Sequence, residues 1–93
     1  MIIDAITETG SRYRIDFDTM IWQKISRNGI PVATEKLWRL EVGTELAWPW
    51  DAPESWEKAE RPEVGKHLFV SGKDRWYAST IIVDIVETES WRD

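Results

Sequence analysis

Alternation of apolar and polar residues marks the clearest elements of this chain. Over residues 12–17, Tyr13, Ile15 and Phe17 fall on one face and Arg12, Arg14 and Asp16 on the other. That is the pattern of a half-buried antiparallel strand. Before it, residues 2–9 are rich in β-branched side chains and predict a first strand, with Gly10-Ser11 as the turn. Residues 20–26, with Trp22 and Ile25, predict a third strand. Asn28-Gly29 is the strongest hairpin signal, because both residues tolerate positive φ. The return segment 30–34 contains Pro31, which cannot donate to a ladder, so it belongs at an edge or is irregular. Residues 37–42 alternate again, with Trp38, Leu40 and Val42 on one face and Leu37, Arg39 and Glu41 on the other.

The middle of the chain changes period. Asp51 and Glu54 are spaced as a capping box, with Pro53 inside the first turn, so a short helix is predicted over 52–60 and Pro62 stops it. Strands resume over 66–71. Ser71-Gly72-Lys73-Asp74 forms a turn, and 75–87 reads as one long bent strand or a strand with a bulge. The tail 88–93 frays. All five glycines fall at or beside predicted strand ends, an agreement between levels that supports an all-β, β-rich fold with one short helix. The expected architecture is a small antiparallel β-barrel or roll of five to seven strands, in a single domain over 1–87.

Composition narrows the class. Hydrophobic residues make up 42% of the 93 residues, enough for a core without a staple. The absence of cysteine excludes disulfides and thiolate metal sites. The aliphatic runs are too short to span a membrane, and no basic region followed by an apolar stretch opens the sequence, so a cytoplasmic protein is expected. Net charge is −5. Residues 1–40 carry six Lys/Arg against five Asp/Glu, and residues 41–93 carry six against twelve. An acidic chain repels phosphate, which makes nucleic acid an unlikely partner. Arg12, Arg14, Lys24, Arg27 and Arg39 in the first half read as solvated strand faces.

Catalytic chemistry has little material. The single histidine, His67, sits on a predicted strand beside Phe69, where a structural role outweighs general-base work. No serine occupies a nucleophile elbow. Gly65-Lys66-His67 and Gly72-Lys73-Asp74 lack the other parts of a phosphate loop. Asp16 and Asp18 read as turn chemistry rather than as cation ligands. No catalytic residue, metal site or cofactor is expected. The unusual feature is tryptophan, seven in all. Trp22, Trp38 and Trp76 lie among apolar strand neighbours and are expected in the core. Trp48, Trp50 and Trp56 cluster among Asp51, Glu54 and Glu57. Such a loop either plugs an open barrel end or forms a binding surface, with the indoles as anchors and the acids as a charged rim.

The segment Thr7-Glu8-Thr9-Gly10-Ser11-Arg12-Tyr13-Arg14-Ile15-Asp16 resembles the opening of small proteins encoded by phages of actinobacteria, especially mycobacteriophages. These pair a threonine-rich strand and a Gly-Ser turn with a Tyr-x-Ile/Phe-Asp strand. Val64-Gly65-Lys66-His67-Leu68-Phe69-Val70 and Ser79-Thr80-Ile81-Ile82-Val83 resemble their closing strands. The resemblance covers both ends of the chain, about half of it, and has no counterpart for Trp48-Pro49-Trp50. It implies a non-structural accessory product and carries over no catalytic residue. The expected function is a non-enzymatic protein-binding module that binds a host protein in the host cytoplasm, for host takeover or to block a defence system. The alternatives are single-stranded nucleic-acid binding, with Tyr13, Trp22 and Trp76 as stacking platforms beside Arg12, Arg14 and Arg75, and a small-ligand or carbohydrate site on exposed indoles. A homo-oligomer assembled through the same indoles is the remaining reading.

Overall fold

The first four strands form an antiparallel meander: β1 (Ile2–Thr7), β2 (Arg12–Asp16), β3 (Ile21–Ile25) and β4 (Pro31–Lys36). In this computed structural model, residues 1–44 and 56–88 are described. The chain then builds a second sheet from β5 (Arg39–Gly43), β6 (Glu57–Lys58), β7 (His67–Ser71) and β8 (Trp76–Ala78). It returns to the first through β9 (Ile82–Thr88). The sheet orders are β4-β3-β2-β1-β9 and β6-β5-β7-β8. The expected all-β fold is present.

Turn chemistry sets the registers. The β1–β2 and β3–β4 connections are built alike. Thr7 N–H donates to Ser11 O (2.9 Å) and Gly10 N–H to Thr7 O (3.0 Å). Ser26 N–H donates to Ile30 O (2.9 Å) and Gly29 N–H to Ser26 O (2.8 Å). Both are three-residue loops whose last residue is a glycine at φ near +90°, the conformation only glycine adopts without strain. Asn28 does not take positive φ, so the Asn-Gly signal marks the hairpin while its turn differs from the two-residue form.

The registers decide what is buried. Ala5 pairs with Tyr13, Ile15 with Trp22 and Lys24 with Ala33. Ala5, Tyr13, Ile15, Trp22 and Ala33 therefore share one face. They meet Leu40, Val42, Leu68 and Val70 from the second sheet, with Ile82 where the chain crosses between the sheets. Trp22 is fully buried, edge-to-face with Tyr77 at 5.9 Å. Lys24 lies on the same face and sets its ammonium over the Tyr77 ring (4.3 Å). Burial lowers the Lys24 pKa and raises that of Tyr13.

Two corners join the sheets. At one, Gly65 N–H donates to Ile82 O (2.8 Å) and Ile82 N–H to Lys66 O (2.9 Å). At the other, Leu37 N–H donates to Met20 O (2.7 Å) and Trp38 N–H to Ser71 O (2.8 Å). The result is a two-sheet roll and not a closed barrel.

Three expectations are corrected. The described residues contain no helix: within the predicted 52–60 helix, Glu57–Lys58 are strand β6, 59–60 are not helical, and 52–55 lie outside the described residues. The two-residue pairing with Glu41 and Val42 overrides local helical spacing there. Residues 75–87 are two strands in different sheets, because the chain turns the Ile82 corner between them. Trp38 and Trp76 are not core residues, being 61% and 41% exposed.

The outer face of the five-stranded sheet holds a polar row: Asp4, Arg14, Gln23 and Thr34 are successive cross-strand partners, with Val86 of β9 beside Asp4. Arg14 grips Asp4 with two bonds, Nε to Oδ1 (2.7 Å) and Nη2 to Oδ2 (2.8 Å), and Arg12 Nη1 reaches Oδ2 at 3.3 Å. Both Asp4 and Arg14 are buried. Removing the carboxylate takes from Arg14 two charge-assisted hydrogen bonds in a buried site. Asp4→Ala is expected to cost about 3–5 kcal/mol, read by urea denaturation. Replacing both with apolar residues of matching volume should recover most of that loss.

Candidate binding groove

Three segments that are not regular strand converge at the Trp38 corner. The first is the β2–β3 turn. Asp16 Oδ1 accepts the N–H of Asp18 (2.9 Å) and of Thr19 (3.3 Å), a side-chain mimic of a backbone turn. Desolvation raises the Asp16 pKa, but those backbone hydrogen bonds, the Thr19 hydroxyl and the terminal ammonium outweigh it, and the carboxyl titrates below its ordinary 3.8. The turn closes on Met20 at φ 57°, a left-handed backbone that costs a non-glycine residue about 1–2 kcal/mol. Leu37 N–H, bonded to the Met20 carbonyl, helps hold it there.

The second segment is the Leu37–Trp38 corner, and the third is 59–60 after β6, with Lys58 at the strand's end. Together they enclose a cleft of about 360 Å³ lined by Phe17, Met20, Leu37, Trp38, Leu40 and Ala59, with Arg39, Lys58 and Glu60 at its margin. Phe17, Leu37 and Ala59 also pack against the core cluster, so the cleft floor is continuous with the interior. Trp38 stands out from it as the most exposed large apolar side chain among the described residues. Arg39 is bound to the Glu41 carboxylate and lies over the Phe69 ring at 5.4 Å. Lys58 and Glu60 have no ion-pair partner among the described residues.

Of the site residues expected from sequence, Trp48, Trp50, Asp51 and Glu54 lie outside the described residues. Glu57 is exposed on β6. Trp56 is 7% exposed and covers the outer face of the second sheet. It stacks on His67 (6.3 Å, 24° between planes) and meets Phe69 edge-on (6.2 Å). Phe69 in turn stacks on Trp76 (5.6 Å, 27°). A Cβ on Gly43 would sit 2.5 Å from the Trp56 ring, so glycine is what lets the indole lie on the strand. Trp56 is buried, but it covers a sheet face and does not plug a barrel end. The groove itself was not read from sequence. Alternation across 37–42 put Trp38 beside Leu40 and Val42, but β5 begins at Arg39, and alternation does not carry around a corner.

Other candidate chemistry is placed plainly. His67 Nδ1 is 2.8 Å from Ser79 O, and the Ser79 hydroxyl accepts the Leu68 N–H (2.8 Å). Both residues tie the β7 start to the 79–80 segment. Tyr13 and Trp22 lie in the core, and Arg14, on the opposite face of the sheet, holds Asp4, so these residues do not together present the stacking surface that single-stranded nucleic acid needs. Among the described residues no group of three His, Cys, Asp or Glu is placed to hold a metal. The described residues hold no helix long and apolar enough to cross a membrane.

Gly43→Ala is expected to destabilise the fold by about 1–3 kcal/mol through overpacking against Trp56, measured by thermal or urea unfolding. Asp16 supplies a pH signature. Its folded pKa is depressed, so its stabilisation is present above the ordinary carboxylate range and lost as pH falls through the lowered value. The Asp18 and Thr19 amide resonances should titrate with an apparent pKa below 3.8, and Asp16→Ala should abolish that titration. Comparison with protein-family models, with curated proteins and with solved structures returned no match to this chain.

Proposed function

We propose that the protein is a non-enzymatic protein-binding module and that the Trp38 groove is its docking surface. The observation that carries this reading is an indole 61% exposed on the wall of an apolar cleft of about 360 Å³. An isolated exposed apolar residue needs no explanation. One set beside Met20, Leu37 and Phe17 around a concavity has the anatomy of an interface hot spot: a rigid aromatic anchor next to a pocket, with charges at the rim. The cleft suits one large apolar side chain of a partner, and Lys58 suits an acidic group beside it.

The strained Met20 backbone supports the same reading. Strain held at an exposed apolar residue in a binding cleft has a use there and none in the core. The resemblance to phage accessory proteins makes a host protein the partner, met in the host cytoplasm, with occlusion of a host surface as the mechanism and host takeover or counter-defence as the outcome. The placements of Tyr13, Trp22 and Arg14 weigh against the nucleic-acid alternative. No observation favours a carbohydrate site over a protein.

The test is affinity capture from an actinobacterial lysate with the tagged protein and its variants, read by mass spectrometry. Wild type is expected to retain one stoichiometric protein. Trp38→Ala should weaken its capture by at least about thirtyfold, the scale of a hot-spot truncation near 2 kcal/mol, without loss of fold. Met20→Gly relieves the backbone and removes one wall, so it should weaken capture while leaving stability unchanged or higher by up to about 1 kcal/mol. Unchanged capture by Trp38→Ala, together with loss on Trp50→Ala, would move the interface to the tryptophan loop. Recovery of nucleic acid alone would end the binding-module reading.

A further inference from the structure

We propose that β9 is a pairing edge for a second copy of this chain and that Asp84 keeps that edge closed. This inference concerns a surface separate from the Trp38 groove and does not depend on it.

β9 is the outer strand of the five-stranded sheet, and its seven residues make it the longest strand among those described. The other edges are blunted. β4 begins with Pro31, and its Val32 carbonyl accepts Arg75 Nη1 (3.1 Å). β6 and β8 are two and three residues long. Short strands, proline and covering side chains are the usual protections against edge-to-edge pairing. β9 is bulged at Val83, which the β1 register skips, and Arg61 reaches its Glu87 carboxylate at 3.7 Å. From Asp84 to Thr88, however, its pairing with β1 is regular, no other strand among those described pairs with its outer side, and it exposes Val83 and Val86.

The direction of its backbone groups follows from the register. Thr7 N–H points to β2, where it meets Ser11 O. Residues two apart on a strand direct their backbone groups the same way, so Ile3 and Ala5 also face β2, and Ile2, Asp4 and Ile6 face β9. Their partners are Thr88, Val86 and Asp84. Ile85 and Glu87 therefore turn their N–H and C=O outward. The outward Ile85 N–H is accepted by the neighbouring Asp84 Oδ1 at 2.9 Å. The donor that an incoming strand needs first is thus occupied by a carboxylate from the same strand.

Why a second copy is the partner follows from the sequence of the edge. A two-fold antiparallel pairing centred on Ile85 sets the two Ile85 residues opposite each other as a hydrogen-bonded pair. Asp84 then faces Val86 of the second copy, and the residue opposite Glu87 is the bulged Val83, which the β1 register skips. Every acid of the edge lies against a valine and none against an acid, so a chain of net charge −5 can pair here without like charges directly opposed. The new contact would join two five-stranded sheets into one. Asp84 competes with it for a single N–H, and a charge-assisted bond within the strand wins over a neutral one between molecules.

The test uses the full chain in sedimentation equilibrium. Asp84→Ala is expected to tighten self-association at least about tenfold relative to wild type, the scale of one lost hydrogen bond to a charged group. Asp84→Asn keeps an oxygen that can cap Ile85 and should remain close to wild type. The chain has no cysteine, so a disulfide can report the register. Asp84→Cys with Val86→Cys removes the cap and sets thiols across the two-fold at a non-hydrogen-bonded pair, within disulfide reach. The same two positions within one strand are roughly 7 Å apart and cannot bridge. Mild oxidation should give a covalent dimer from the double variant and far less from Val86→Cys alone. An Asp84→Ala variant as monomeric as wild type would overturn the guard. A dimer in which the double cysteine does not cross-link, or binding of an unrelated extended peptide without self-association, would overturn the second copy as occupant.

Discussion

The buried pairing of Asp4 with Arg14 is the constraint around which the five-stranded sheet is ordered. Side chains alternate faces along a strand, so a slip of one residue between β1 and β2 exchanges the two faces. Here a slip would either push the Asp4 carboxylate toward the packed core and turn Ala5 outward, or push the Arg14 guanidinium inward and turn Tyr13 and Ile15 outward. The cost of burying a charge without its partner is several kcal/mol, of the order of a small domain's whole stability. The bidentate geometry at 2.7 and 2.8 Å is satisfied in one register only. The pair need not add net stability to have this effect. It makes the wrong alignments expensive, and the correct one then presents Tyr13, Ile15 and Trp22 together to the second sheet.

From that register the rest of the roll follows. Once β1 to β3 present one apolar face, the second sheet must cover it with Leu40, Val42, Leu68 and Val70. The chain changes sheet at two corners to do so. Corners consume backbone hydrogen bonds between segments rather than within ladders, as with Trp38 N–H to Ser71 O and Ile82 N–H to Lys66 O. They also break side-chain alternation, so apolar residues at a corner need not point inward. Trp38 is the clearest instance. Its place outside the core and the cleft beside it are consequences of the fold's economy at that corner. The second sheet solves its own outer face differently, by laying Trp56, Phe69 and Trp76 in a row with His67. That layer sets the approach of Trp56 to Gly43.

This division explains what could be read from the residues. The strict alternation of 12–17 and the glycines at 10 and 29 predicted real strands and real turns, because local pattern and tertiary burial agree there. Pro31 predicted an edge, and β4 is one. The capping-box spacing of Asp51 and Glu54 predicted a helix in which Glu57 and Lys58 are instead strand β6, since pairing with β5 outweighs the propensity of a few residues. Trp22 and Trp38 have similar apolar neighbours in sequence, yet one is fully buried and the other is the most exposed large apolar residue described. The difference is their position relative to a corner, which alternation alone does not encode. The groove was invisible for the same reason: its walls come from a turn, a corner and the segment after β6, three places without a common period.

The stability determinants and the candidate binding surfaces are accordingly different residues. Asp4, Arg14, Trp22 and Gly43 act within or directly on the sheets. Trp38, Met20 and Lys58 sit where strands end, and their side chains hold no register. A surface built at strand ends can change without altering the pairing beneath it, while the sheets give it a fixed backbone on both sides. Met20 shows the coupling that remains. Its left-handed backbone is held by a carbonyl that accepts the Leu37 N–H and by a turn closed on Asp16. The cleft wall therefore inherits its rigidity from the same corner that exposes Trp38. A pocket pre-shaped in this way would lose less ordering entropy on binding than a loop would, and that is what the proposed docking role asks of so small a concavity.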